Sequence, residues 1–354
     1  VIAKETARNL SDRLYEKRKL GALEVEQQIK RLHANRDTAR IRRLLTVINT
    51  DFVQSTNPNG NAKKGGVIAL AAAAIGLGTD TGDNVDLFVP PVLSCFTDAD
   101  MRVRYYACES LYNIAKVARR KVLRYFNEVF DALCKLAADP DQSVRQGAQL
   151  LDHLIKDIVT EAGWFDIERF MPLLAERITV QHAYCRQFLV SWISVLDSVP
   201  DIDLLQHLPI FLGGLFAMLR DPAPGIRPAA HEVICEFIAE IRVAHAEDGD
   251  GVVDLGALVH ILVDACASSD TFTRHTATTF ALELITIAQR AMLPYAHQLL
   301  AAILPSLAHP ADSIQEVAVR ANAALMRLVA DAAADDDAAD ALGATTTAAA
   351  AAAA

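Results

Sequence analysis

The chain has 354 residues, with 34 Lys and Arg against 44 Asp and Glu, 52% hydrophobic residues, 6% aromatic residues and 16 glycines. That composition excludes disorder for the bulk of the chain and describes a soluble, folded, mildly acidic protein with a formal net charge of −10. A chain of this size buries roughly three quarters of the surface that it exposes when unfolded, so its stability requires neither disulfides nor a structural metal.

Six cysteines, at positions 95, 108, 134, 185, 235 and 266, are never closer than thirteen positions and sit among apolar helix formers. They are expected as reduced core thiols of a cytosolic protein. The longest unbroken apolar run, residues 67 to 75, is nine residues of mostly alanine, short of the ~18 to 20 that span a bilayer. No membrane span and no signal peptide are predicted. The charge is uneven: residues 1 to 150 hold 23 Lys and Arg against 17 Asp and Glu, a net of +6, and residues 151 to 354 carry −16. The basic end, with the cluster Lys116, Arg119, Arg120, Lys121 and Arg124, suits association with acidic partners, anionic lipid headgroups included. The plain alternative is a solvated helix face.

In chain order, a cationic or polar position followed three residues later by a small or apolar one recurs in phase. It begins at Lys19 with Ala22, returns 44 residues on at Lys63 with Gly66, and then every 41 residues at Arg104 with Ala107, Arg145 with Ala148, Arg186 with Leu189 and Arg227 with Ala230. A step of 47 leads to Arg274 with Ala277 and a further 41 to Gln315 with Ala318, making eight units. In the unit of Arg104, Leu87, Val92, Leu93 and Phe96 form the apolar stripe of a first helix, and Val103, Ala107, Ser110, Leu111 and Ile114 that of a second. Asp98 to Asp100 form the turn between them, where Asp also caps the following helix. Pro91, Pro172, Pro209, Pro294 and Pro305 fall in first helices or at their starts, and no run reads as a hairpin strand.

One such hairpin cannot bury both of its faces, so each is expected to stack on its neighbour. The fold class predicted is all-α: a right-handed α-solenoid of about eight HEAT-type helical hairpins, of order 80 Å long at ~10 Å per layer. One elongated domain is predicted over 1–332, followed by an Ala- and Asp-rich tail at 333–354, disordered or of unassigned identity. Arg104, Arg145, Arg186, Arg227 and Arg274 are expected to hydrogen-bond between repeats with the turn aspartates Asp98, Asp139, Asp221 and Asp270.

No catalytic constellation emerges, so no enzyme, no cofactor and no metal are expected. His231-Glu232-Val233-Ile234-Cys235 opens like a zinc-protease helix without its second histidine. The run Asp248 to Asp254 alternates like a calcium loop, but Val259 stands where the bidentate Glu belongs, so a turn is predicted there. Gly76, Gly78 and Gly82 miss the dinucleotide spacing, and Lys63-Lys64-Gly65-Gly66 lacks the lead of a phosphate loop. His182 and Cys185 are better placed at turn and core positions. The net charge, with no aromatics among the basic residues, argues against nucleic acid.

Beyond the generic repeat, several segments are specific. Leu14-Tyr15-Glu16-Lys17-Arg18-Lys19, Lys64-Gly65-Gly66-Val67-Ile68-Ala69-Leu70, the turn from Pro91 to Asp100, Arg104-Tyr105-Tyr106-Ala107-Cys108-Glu109 and Ser198-Val199-Pro200-Asp201-Ile202 together resemble the ArPIKfyve family of vacuole-morphology HEAT-repeat scaffolds. The likeness covers some two thirds of the chain and weakens after about residue 245. It implies a noncatalytic subunit that assembles a PIKfyve-type lipid kinase with an opposing Sac-domain phosphatase on vacuolar and endosomal membranes, regulating phosphatidylinositol 3,5-bisphosphate. It further implies self-association through a carboxy-terminal region that these residues lack, and a cytoplasmic, peripheral location.

The contact residues expected for partners are Tyr105, Tyr106 and Tyr112 as aromatic anchors and Arg119, Arg120, Lys121 and Arg124 as polar ones. The competing expectation packs the tyrosines between repeats with their hydroxyls bonded. A rival function is an importin-like adaptor gripping basic peptides on an acidic face.

Overall fold

The structure is a computed structural model that describes residues 2–56, 60–248 and 253–352, with side chains apart from those of Asp248 and 335–352. Among the described residues there is no strand, and sixteen α-helices follow one another as eight hairpins. The chain packs as two compact units, Val1–Leu173 with Ser198–Ile202, and Leu174–Asp197 with Asp203–Ala354.

In the first unit the hairpins pair α1 (Lys4–Leu10) with α2 (Tyr15–Ala34), α3 (Thr38–Val47) with α4 (Asn61–Leu77), α5 (Val85–Leu93) with α6 (Met101–Ala118), and α7 (Phe126–Leu136) with α8 (Gln142–Ala162). The second helices α2, α4, α6 and α8 lie side by side, each against the next. Helix α4 sits between α2 and α6 and is buried along most of its length, which its run of small residues makes possible. A Cβ on Gly65 would stand 1.8 Å from the Leu10 carbonyl oxygen, and one on Gly66 2.8 Å from the Phe52 Cβ. The Lys64-Gly65-Gly66 segment therefore serves close helix packing.

Aspartates start the second helices. The Asp100 carboxylate accepts the Arg102 N–H at 2.8 Å and Asp141 accepts the Val144 N–H at 3.0 Å, each supplying one of the acceptors that a helix N-terminus lacks. At their other ends, α4 and α6 stop on the same unusual backbone: Gly78 has φ 60° and ψ −132°, and Arg119, 41 residues later, φ 49° and ψ −135°. Seven residues of 3-10 helix then lead into the next hairpin.

The second unit repeats this plan. Its second helices α10 (Ala183–Asp197), α12 (Ile226–Asp248), α14 (Thr271–Ala288) and α16 (Asp312–Ala352) form one row. The first helices α11 (Leu208–Met218), α13 (Leu255–Cys266) and α15 (Ala296–Ile303) form another; the remaining first helix, α9 (Ile167–Arg177), spans the division between the units. Phe211, Phe237, Phe280 and Trp192 are fully buried in it. Asp270 caps α14 through the Thr273 N–H at 2.8 Å, and α14 ends at Gln289 with φ 40°. Of the acidic run Asp248 to Asp254, residues 249–252 lie outside the described residues, while Asp254 caps α13 through the Ala257 N–H at 3.0 Å. The stretch from 333 continues α16 as helix to Ala352.

Asn61–Leu93 and Thr271–Ala308 are helical stretches long and apolar enough to cross a membrane by length and composition. Each is interrupted by a positive-φ residue, Gly78 or Gln289, and neither is one continuous α-helix.

Candidate functional site

The repeated cations occupy the turns. Arg104 forks onto Asp139, with Nε 2.7 Å from Oδ2 and Nη2 3.0 Å from Oδ1, while its Nη1 donates to the Asp98 carbonyl at 2.8 Å. One side chain thus staples its own turn, six residues back, and the next turn, 35 residues on. Arg186 links the same two places through other nitrogens, its Nη1 meeting Asp221 at 2.6 Å and its Nε the Val180 carbonyl at 3.0 Å. Lys63 meets Asp98 at 2.6 Å and Lys64 meets Asp100 at 2.7 Å. Arg145 and Arg274 staple their own turns through the carbonyls of Asp139 and Ser268, at 2.6 and 2.8 Å. Arg227 stands 3.8 Å from Asp270.

Burial works to raise the Asp139 carboxyl, but the bond from Arg104, the Asp141 N–H and the charges of Arg104 and Arg145 outweigh it and hold the group below the usual carboxylate range. These residues are engaged in holding hairpins together.

The tyrosines form a different arrangement. The Tyr106 ring stacks on Tyr15 of α2 at 5.8 Å between centroids and 4° between planes, with Tyr105 edge-on to it at 5.6 Å. The Arg18 guanidinium lies 5.7 Å from the Tyr106 ring centre. Arg18 is itself buried and donates to the carbonyls of Asp12 and Arg13 at 2.9 and 3.0 Å, which fixes the cation under the ring. Tyr15 and Tyr105 remain 38% and 37% exposed. The hydroxyls of Tyr15, Tyr105 and Tyr106 have no hydrogen-bond partner among the described residues. The rings therefore pack across hairpins while their polar tips face outward. Burial first, then the Glu109 charge, pushes the Tyr15 and Tyr105 phenols up, so both stay protonated and able to donate at neutral pH. Tyr112 lies half-buried two turns further along α6.

The basic residues lie elsewhere. Arg119 begins the corner after α6, ~21 Å along the helix from Tyr105 at 1.5 Å per residue. It pairs with Glu161, Lys121 stands 3.5 Å from Asp83, and Arg124 stands 2.9 Å from Asp86, which also accepts the Tyr125 hydroxyl at 2.6 Å. Arg120 is exposed and makes no ion pair among the described residues. The seven contact residues expected from sequence are thus divided between two surfaces at opposite ends of α6. Tyr15 and Arg18, which complete the first surface, sit in the Leu14 to Lys19 segment but carry no repeat signal of their own. Trp164, which joins the second, follows the helix-ending Gly163.

Burial pushes the Cys95 and Cys108 thiols up to about 11 and about 12, away from the thiolate that a nucleophile needs. Among the described residues no three His, Cys, Asp or Glu side chains converge as a metal site requires.

Stacked helical hairpins bound by an Arg–Asp ladder, with an exposed aromatic face, define a repeat protein of the α-solenoid class. Residues 61–157 match the family model described as the Vacuolar 14 Fab1-binding region. The chain is 48% identical to a Protein VAC14 homolog of Arabidopsis thaliana over 315 residues, covering 89% of this chain and 41% of that protein. It is 40% identical to the Schizosaccharomyces pombe Protein VAC14 homolog, covering 66% of this chain and 33% of that one. It is 39% identical to the Saccharomyces cerevisiae Vacuole morphology and inheritance protein 14, covering 68% and 32%. The resemblance to the vacuole-morphology scaffold family is therefore borne out, and the chain spans less than half the length of these relatives. Among solved structures, a designed armadillo repeat protein is similar at a TM-score of 0.33 and 16% identity, over 67% of this chain and 99% of that one.

Proposed function

We propose that this chain is the kinase-engaging part of a noncatalytic scaffold, and that the tyrosine face of its first unit contacts a Fab1/PIKfyve-type phosphoinositide kinase. The observation that carries this reading is the place of Tyr105 and Tyr106, with unbonded hydroxyls, within the segment that matches a Fab1-binding region. Rigid aromatic side chains with a free polar tip are the commonest anchors of protein interfaces, because they bury much area for little lost freedom. The stacked hairpins present that face preformed, which keeps the ordering cost of binding low.

In the same proposal the scaffold acts from the cytoplasmic side of vacuolar and endosomal membranes. It places the kinase beside an opposing Sac-domain phosphatase, so that synthesis and turnover of phosphatidylinositol 3,5-bisphosphate are set together. Phosphatase contact and self-association are not placed on the tyrosine face. Arg119, Arg120, Lys121 and Arg124 are secondary contacts, since three of them are already paired.

The test is co-purification of the kinase with the Tyr105→Ala, Tyr106→Ala variant, with circular dichroism as the check on folding. Loss of the two anchors is expected to weaken capture by about a hundredfold, as for hot-spot truncation of about 3 kcal/mol. Undiminished kinase in the eluate of a folded variant rejects this face as the contact.

A further inference from the structure

The corner after α6 holds a recess that the tyrosine face does not use. Its volume is about 630 Å³, and the four cations Arg120, Lys121, Arg124 and Arg169 outnumber the acids Asp83 and Asp166 in its lining, which Trp164 and Phe165 complete. The cations are available. Arg120 makes no ion pair among the described residues, Lys121 is 3.5 Å from Asp83, and Arg169 is 3.8 Å from Glu128, with both members of each pair about half exposed or more. Exposed pairs of this kind hold weakly, so an incoming carboxylate can replace the internal one.

The apolar wall is as open. Trp164 is 58% exposed, and its indole N–H has no partner among the described residues. Phe165 beneath is held edge-on to Phe126 at 4.7 Å and 90°. Two backbone features shape the rim: Gly163, with φ 67°, turns the chain so that Trp164 emerges, and Arg119 keeps a φ of 49° that a side-chain-bearing residue adopts only at a cost.

We propose that this recess binds an acidic peptide segment of a partner protein, whose carboxylates meet Arg120 and Lys121 while a neighbouring aromatic side chain packs on Trp164. Charge complementarity and the apolar wall select this occupant together, since a carboxylate cluster alone leaves the indole uncovered. A flat anionic bilayer is the competing occupant, and the test separates the two. The proposal rests on other observations than the primary kinase contact, the tyrosine face at the other end of α6, although it uses cations ranked above as secondary contacts.

The test uses the full chain and a short synthetic peptide of alternating Asp and Glu around a single Phe, read by acrylamide quenching of tryptophan emission. The chain has two tryptophans, and Trp192 is fully buried, so quenching reports Trp164. The peptide is expected to protect Trp164. Its dissociation constant is expected to rise at least about tenfold in Arg120→Glu, a change that breaks no internal pair, and equally when the acids become Gln and Asn. By anisotropy of labelled peptide, Trp164→Ala is expected to weaken binding to the same degree, and Tyr105→Ala with Tyr106→Ala to leave it unchanged. No protection, equal affinity for Arg120→Glu, or protection by phosphatidylserine-containing vesicles but not by the peptide would each overturn the proposal.

Discussion

At the residue scale, the ladder arginines do two tasks with one planar group. The fork of Arg104 neutralises Asp139, whose side chain is only 6% exposed, while the third nitrogen binds a carbonyl of its own turn. Arg104→Ala leaves that carboxylate buried beside water-poor backbone, and is expected to cost about 3 kcal/mol in urea unfolding. Lysine, which cannot fork, is expected to recover only part. The sequence shows the period and the residue types, because stacking demands the same residue at the same place in every unit. It does not show that Arg104 and Arg186 each reach the following turn, 35 residues on. The twin spacing of 41 ties Arg104 equally to its own Asp98, and only the direction in which one hairpin leans on the next distinguishes the two.

At the element scale, the hairpins were legible because apolar residues at helical spacing bracket Asp-containing turns. The corners were not. Nothing in Arg119 or Gln289 announces the positive φ that Gly78 adopts freely, since the constraint comes from the seven-residue 3-10 link that follows. Nor does the sequence announce the carboxyl pair between α10 and α12. Burial first, then the neighbouring Glu240 and Glu236 charges, pushes the Asp197 carboxyl up to about 7. An acid raised in the folded state contributes stability that is complete below its unfolded pKa and lost as pH rises through the folded one. The second unit is therefore expected to be more resistant to urea at pH 5 than at pH 8. After allowance for solvent screening of this half-exposed pair, the difference is about 1 kcal/mol. Asp197→Asn is expected to flatten that dependence and to match wild type at pH 5; an unchanged pH profile would count against the pair.

At the scale of the whole molecule, the repeat register runs from Lys19 to Gln315 with steps of 41 to 47 residues, and contacts gather the residues into two compact units. A register marks which residues are equivalent and is blind to which of them touch. The tyrosine face shows the same limit. Tyr105 and Tyr106 stand out because the generic repeat does not need them, but their partner Tyr15 lies about ninety residues away on α2, where no sequence period points to it.

The central proposal is that one preformed face of the first unit engages a Fab1/PIKfyve-type kinase. Hydrogen exchange of the chain with and without a purified Fab1/PIKfyve-type kinase tests it most directly. Protection is expected at the start of α2 and the first half of α6, around Tyr15, Tyr105 and Tyr106, and is expected to vanish in the Tyr105→Ala, Tyr106→Ala variant. Protection confined to the second unit, or identical in wild type and variant, would contradict it.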